Sequence, residues 1–130
     1  MNHTFEIIKV VNGDTPAKEQ VWLKTNKEFK TGGFAIVDRT FDKDGKISNE
    51  FRHICVLPDI KLAQNQVMVV FTGTGTNGFK NYKDSEDQYY AFYWGADHCV
   101  WNNNGGDSAT LISYAVVNTV KAPAIEKKKA

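Results

Sequence analysis

The chain is short of the features that would assign a chemistry at once. Across its 130 residues no apolar run approaches the roughly 20 residues that a membrane-spanning helix needs, so membrane insertion is not expected. The opening Met1-Asn2-His3-Thr4-Phe5-Glu6 has no basic region followed by an apolar block, the mark of a secretory leader. The expected location is therefore cytoplasmic, the alternative being a secreted or cell-surface protein whose leader has been removed. Cysteine is scarce: Cys55 and Cys99 are too few for a disulfide framework. They read as two half-buried thiols in a reducing compartment rather than as a bridge, and they form no zinc pattern with other ligands. Charge of one sign is lacking too. Sixteen Lys and Arg stand against 15 Asp and Glu, a net charge of +1, which concentrates no acidic polymer and makes nucleic acid a possible but unfavoured partner.

Helical periodicity is also missing. No window combines caps with an apolar period of 3.6. What is present is alternation with a period of two. Phe5–Val11 reads as a first strand, stopped by Asn12-Gly13-Asp14. In the next, Val21 and Leu23 share one face, with Trp22 and Lys24 on the other. Phe34–Val37 is apolar on both faces and so central in a sheet. Phe41 to Ile47 encloses Asp42-Lys43-Asp44-Gly45, a hairpin connection. Phe51–Leu57 ends at Pro58, which cannot donate to a ladder. Val67–Phe71 is the most β-prone run, and Thr72-Gly73-Thr74-Gly75-Thr76-Asn77-Gly78 breaks it. A long polar loop is expected from Phe79 to Asp87, followed by strands at Tyr89–Trp94, Ala109–Tyr114 and Val116–Val120. Many short strands between turns predict an all-β sandwich or barrel. One domain spans residues 1–121, and a disordered lysine-rich tail with Lys127-Lys128-Lys129 spans 122–130.

Several segments, in order, carry a likeness to a known family. They are Glu19-Gln20-Val21-Trp22-Leu23-Lys24-Thr25-Asn26, then Gly33-Phe34-Ala35-Ile36-Val37-Asp38, then Leu57-Pro58 through Val70, whose Gln64-Asn65 occupies a turn position. Phe71-Thr72-Gly73-Thr74-Gly75, Tyr93-Trp94-Gly95 and Val100-Trp101-Asn102-Asn103 follow. Together they resemble the lamin tail domain in its bacterial form, over about Glu19 to Ile112. The resemblance implies an immunoglobulin-like β-sandwich and a non-enzymatic accessory module for protein, nucleic-acid or cell-envelope contacts. It also makes Phe5–Val11 the first edge strand. Two departures stand out. Phe34 replaces the usual tryptophan, and no Asp-Gly turn follows Leu111-Ile112. Trp94 and Trp101 read as core anchors whose indole N–H groups find partners. Asn102 to Asp107 supplies the turn chemistry between the strands.

Catalytic patterns are absent from the sequence. Asp42 to Glu50 imitates a calcium loop, but Gly45 and Glu50 stand at the wrong positions for an EF-hand. His3, His53 and His98 are far apart, and His53 alternates with Phe51 and Cys55 as a satisfied strand histidine would. There is no nucleophile elbow, Cys-His signature or paired-carboxylate segment, and Thr72 to Gly78 lacks the lysine and helix of a phosphate loop. The chain is therefore expected not to be an enzyme and to need no metal or cofactor. Binding remains: Phe79, Lys80, Tyr82 and Lys83 place aromatics beside lysines in one polar stretch. The expected function is a non-catalytic module that binds another protein or self-assembles through a sheet edge and loops. The alternative is a nucleic-acid-binding accessory domain.

Overall fold

A computed structural model describes residues 4–41, 47–101 and 107–125. Among the described residues ten strands run in chain order: β1 (Phe5–Val11), β2 (Gln20–Thr25), β3 (Phe29–Lys30), β4 (Phe34–Phe41), β5 (Ile47–Val56), β6 (Lys61–Leu62), β7 (Val67–Phe71), β8 (Gly78–Asn81), β9 (Gln88–Tyr93) and β10 (Asp107–Ser113). A 3-10 turn at Pro16–Lys18 joins β1 to β2, and among the described residues no helix is long and apolar enough to cross a membrane. The fold is all-β. A five-stranded sheet, β1-β2-β7-β9-β8, faces a three-stranded sheet, β10-β4-β5, and the short pair β3-β6 closes one end.

The alternation seen in the sequence decides which side chains lie between the sheets. Val21 and Leu23 on β2 meet Val70 and Met68 across the ladder, all buried. Ile36 on β4 and Cys55 on β5 come from the facing sheet, and Leu62 from the small ribbon. Each fully buried aliphatic side chain contributes about 1.5–3 kcal/mol. At the ribbon end Phe5, Phe29 and Phe34 pack ring against ring, with centroids 5.2, 5.8 and 5.3 Å apart. The polar groups buried beside them are paired. Thr31 Oγ1 donates to the carbonyl of Pro58 and accepts from the amide of Ile60 at 3.1 Å.

Connections follow turn chemistry. Asn65 takes φ of +66° in a turn closed by the Gln66 amide on the Ala63 carbonyl at 3.0 Å, the left-handed conformation asparagine tolerates. β4 and β5 pair antiparallel up to Phe41 and Ile47, as a hairpin through Asp42 to Gly45 requires; that connection, residues 102–106 and the tail lysines lie outside the described residues. The glycine-rich stretch after β7 has a packing reason. A Cβ on Gly75 would stand 2.3 Å from the Tyr93 ring, so only glycine lets the chain cross that ring.

Three expectations are corrected. Val116–Val120 forms no strand; Val116, Val117 and Val120 are 74%, 96% and 82% exposed, because the stretch leaves β10 without a turn that would return it to a ladder. Part of the expected Phe79 to Asp87 loop is strand, since Gly78–Asn81 pairs with Gln88–Ala91. Of the two tryptophans, Trp101 is buried but Trp94 only partly so. The Trp101 indole N–H, expected to find a partner, has no acceptor among the described residues.

The main chain of the same segment is tied down by the carboxylate of Glu19, which is fully buried. Its two oxygens accept the consecutive amides of Val100 and Trp101 at 2.9 and 3.1 Å. Both amides sit outside any strand and would otherwise be buried without partners. Replacing Glu19 with alanine strands the two donors, a cost of about 2–4 kcal/mol. We expect Glu19→Ala to lower the urea midpoint by about 1–2 M, with Glu19→Gln falling between it and the wild type; unchanged midpoints for both would remove the bridge from the account.

Candidate interaction surface

The face of the five-stranded sheet that turns away from the core is not simply polar. The registers of β2, β7 and β9 set Gln20, Phe71 and Tyr93 in one row, Trp22, Val69 and Ala91 in the next, and Lys24, Val67 and Tyr89 in the third. Odd and even positions separate here as the pleat demands. Tyr82 folds back over this face because the connection between β8 and β9 is tightly closed. The Tyr82 amide donates to the Asp87 carbonyl at 2.9 Å, and that of Ser85 to the Tyr82 carbonyl at 3.1 Å. Asp84 supplies a left-handed φ of +59°.

The rings touch in two groups. Phe71 and Tyr93 stack with centroids 4.8 Å apart and planes 15° from parallel. Tyr82 lies 5.0 Å from Tyr89 and 6.5 Å from Trp22. All five rings are half-buried. Lysines frame them. Lys9 Nζ stands 5.3 Å over the Trp22 ring. Lys80 Nζ stands 4.8 Å over Tyr93 and donates to its hydroxyl at 3.0 Å. The Trp22 indole N–H is held by Gln20 Oε1 at 2.8 Å, which fixes the ring plane. Burial first, then the neighbouring Tyr89 and Asp87, pushes the Tyr82 phenol above its ordinary range.

The four residues expected to bind are therefore divided. Lys80 and Tyr82 belong to this face. Phe79 points the other way on β8, edge-to-face with Tyr90 at 5.1 Å, and lines a groove of about 600 Å3 with Lys27, Glu28 and Lys61. Lys83 is exposed at the loop tip. Trp22, Phe71, Tyr89 and Tyr93 were missed. The signal was available in the alternation that set Trp22 and Lys24 on the polar side of β2, but it joins the other rings only once the strand order is known.

A second constellation sits at the other sheet. Asp38, buried on β4, accepts the His53 amide at 2.5 Å and meets His53 Nδ1 at 2.7 Å, the satisfied strand histidine the alternation implies. The His53 ring lies 5.9 Å from that of His98, whose Nδ1 is 2.7 Å from Asp97; this contact holds the Asp97 carboxyl below its usual range. Among the described residues no group of three or more His, Cys, Asp and Glu is arranged to hold a metal ion.

Both cysteines are free thiols. Burial pushes Cys55 up to about 12. Burial first, then the Glu19 carboxylate, raises Cys99 as well, and its thiol donates weakly to the Gly13 carbonyl at 3.8 Å. The thiolate is the reactive species. At pH 8 a thiol-specific disulfide reagent should therefore modify one cysteine of the native protein, Cys99, more slowly than a free thiol. The second should respond only after denaturant is added; two fast equivalents would contradict the burial of Cys55.

No protein-family model, no curated protein and no solved structure matches the chain.

Proposed function

We propose that the protein is a non-catalytic interaction module, an immunoglobulin-like sandwich of the lamin tail kind, that binds another protein through the outer face of its five-stranded sheet. The observation that carries this reading is the set of half-buried rings, Trp22, Phe71, Tyr82, Tyr89 and Tyr93, framed by Lys9 and Lys80. Tryptophan and tyrosine are the residues that dominate binding energy at protein interfaces. They present large area at low entropic cost when their planes are already fixed, as Gln20 fixes Trp22. The lysines suit a partner that sets carboxylates beside apolar side chains. The ordered likeness of segments between Glu19 and Ile112 to lamin tail domains supports the same class of role.

A second reading is favoured by one feature of this face. Rings beside lysines also suit stacked bases with their phosphates, which would make the module a nucleic-acid accessory domain. The net charge of +1 weighs against it, because counterion release supplies most non-specific affinity.

The test is affinity capture on immobilised full-length protein from its native source, run against Trp22→Ala/Tyr89→Ala. The partner retained by the wild type should lose at least about tenfold in affinity for the double variant while circular dichroism stays unchanged. Equal capture by both would overturn the assignment of this face. Anisotropy with a labelled single-stranded oligonucleotide at low salt decides the second reading: a flat titration ends it.

A further inference from the structure

The sandwich is open along one side, where β1 ends the larger sheet and β10 ends the smaller. Each has a ladder partner on one flank only, so each presents a row of free backbone donors and acceptors. Between them runs a groove of about 410 Å3 lined by Phe5, Ile7, Phe34, Ala109 and Leu111. All five belong to the core or pack against it, so the groove is an unfinished part of the interior.

The chain that leaves β10 has the complementary features. Tyr114 still donates to the Gly33 carbonyl at 2.9 Å, so the strand runs on to its last paired residue. Beyond it, residues 115–125 make no hydrogen bond or ion pair among the described residues. Ala115-Val116-Val117-Asn118-Thr119-Val120-Lys121 is a β-prone stretch, with Val116 and Val120 on one side of an extended chain. Five residues, Val116 to Val120, span about 17 Å as a strand, close to the length of an edge strand. A return into the groove of the same molecule needs a tight turn with residues that accept positive φ. Tyr114, Ala115 and Val116 offer none.

We propose that residues 115–121 of one molecule fill the groove between β1 and β10 of a second copy, adding the strand that closes its sandwich. Val116 and Val120 enter between Ile7 and Leu111, and Lys121 meets Glu6 at the mouth of the groove. Main-chain bonds to a free edge supply affinity, and the two valines supply register. Reciprocal donation gives a closed dimer, and one-way donation gives a chain of molecules. This inference deepens the reading of the protein as an interaction module by naming a self-recognition site. It uses the sheet edges opposite β8, so its failure is separable from that of the aromatic face.

Analytical ultracentrifugation of the full chain at tens of micromolar tests it, together with Val116→Asp/Val120→Asp. Both valines are largely exposed, so the variant folds as the wild type does. The wild type should sediment as a dimer or larger, and the variant should associate about a hundredfold more weakly. Trp22→Ala/Tyr89→Ala should associate as the wild type does. A labelled peptide of residues 115–122 should bind the full-length Val116→Asp/Val120→Asp variant, whose groove is left free, and the same peptide carrying both aspartates should not. A monomeric wild type, or equal association by the valine variant, would overturn the proposal.

Discussion

The structure depends on one buried carboxylate. Glu19 stands just before β2, and its side chain accepts two consecutive amides from a segment more than eighty positions further on, at Val100 and Trp101. A carboxyl group taken from water is costly unless it is hydrogen-bonded, and here each of its oxygens accepts a main-chain amide. Its own carbonyl accepts the Thr72 amide at 3.2 Å, so the same residue also extends the β2–β7 ladder. Three distant parts of the chain meet at this point: the start of β2, the end of β7 and the approach to β10.

That meeting point positions the outer face of the sheet. From Phe71 the parallel ladder runs past the end of β9, with Trp94, Gly95 and Ala96 donating to Phe71, Gly73 and Thr72 at 2.7, 3.0 and 2.9 Å. Tyr93 is thereby set between Phe71 and the backbone of Gly75, with the Lys80 ammonium over it. Rings held in this way lose little freedom when they meet a partner, which is what a preorganised binding face requires. The open side of the sandwich, between β1 and β10, lies outside this rigid arrangement and is free to accept a strand.

Much of the fold was legible in the sequence because period-two alternation is a local property. Val21 and Leu23 against Trp22 and Lys24 and the apolar run Val67–Phe71 could be read directly, and the turn at Asn65 came through the family resemblance. The connection across Glu19 could not. An acidic residue before a strand reads as solvated, and only the packed structure brings it to Val100. The aromatic face was half legible: Lys80 and Tyr82 lay in one suspicious stretch, but Trp22 and Tyr93 join them only through the strand order β2-β7-β9-β8. Val116–Val120 misled for a physical reason. Its residues favour a strand, yet strand propensity is expressed only against a neighbour, and within one molecule this stretch has none.

Hydrogen exchange at single-residue resolution tests the central role of Glu19 most directly. The amides of Val100 and Trp101 lie in no strand, so their protection rests on that carboxylate. They should exchange only with global unfolding, alongside Leu23 and Met68 in the core. If they exchange as fast as the exposed amides of the loop at Asp84, the buried bridge does not hold the fold together.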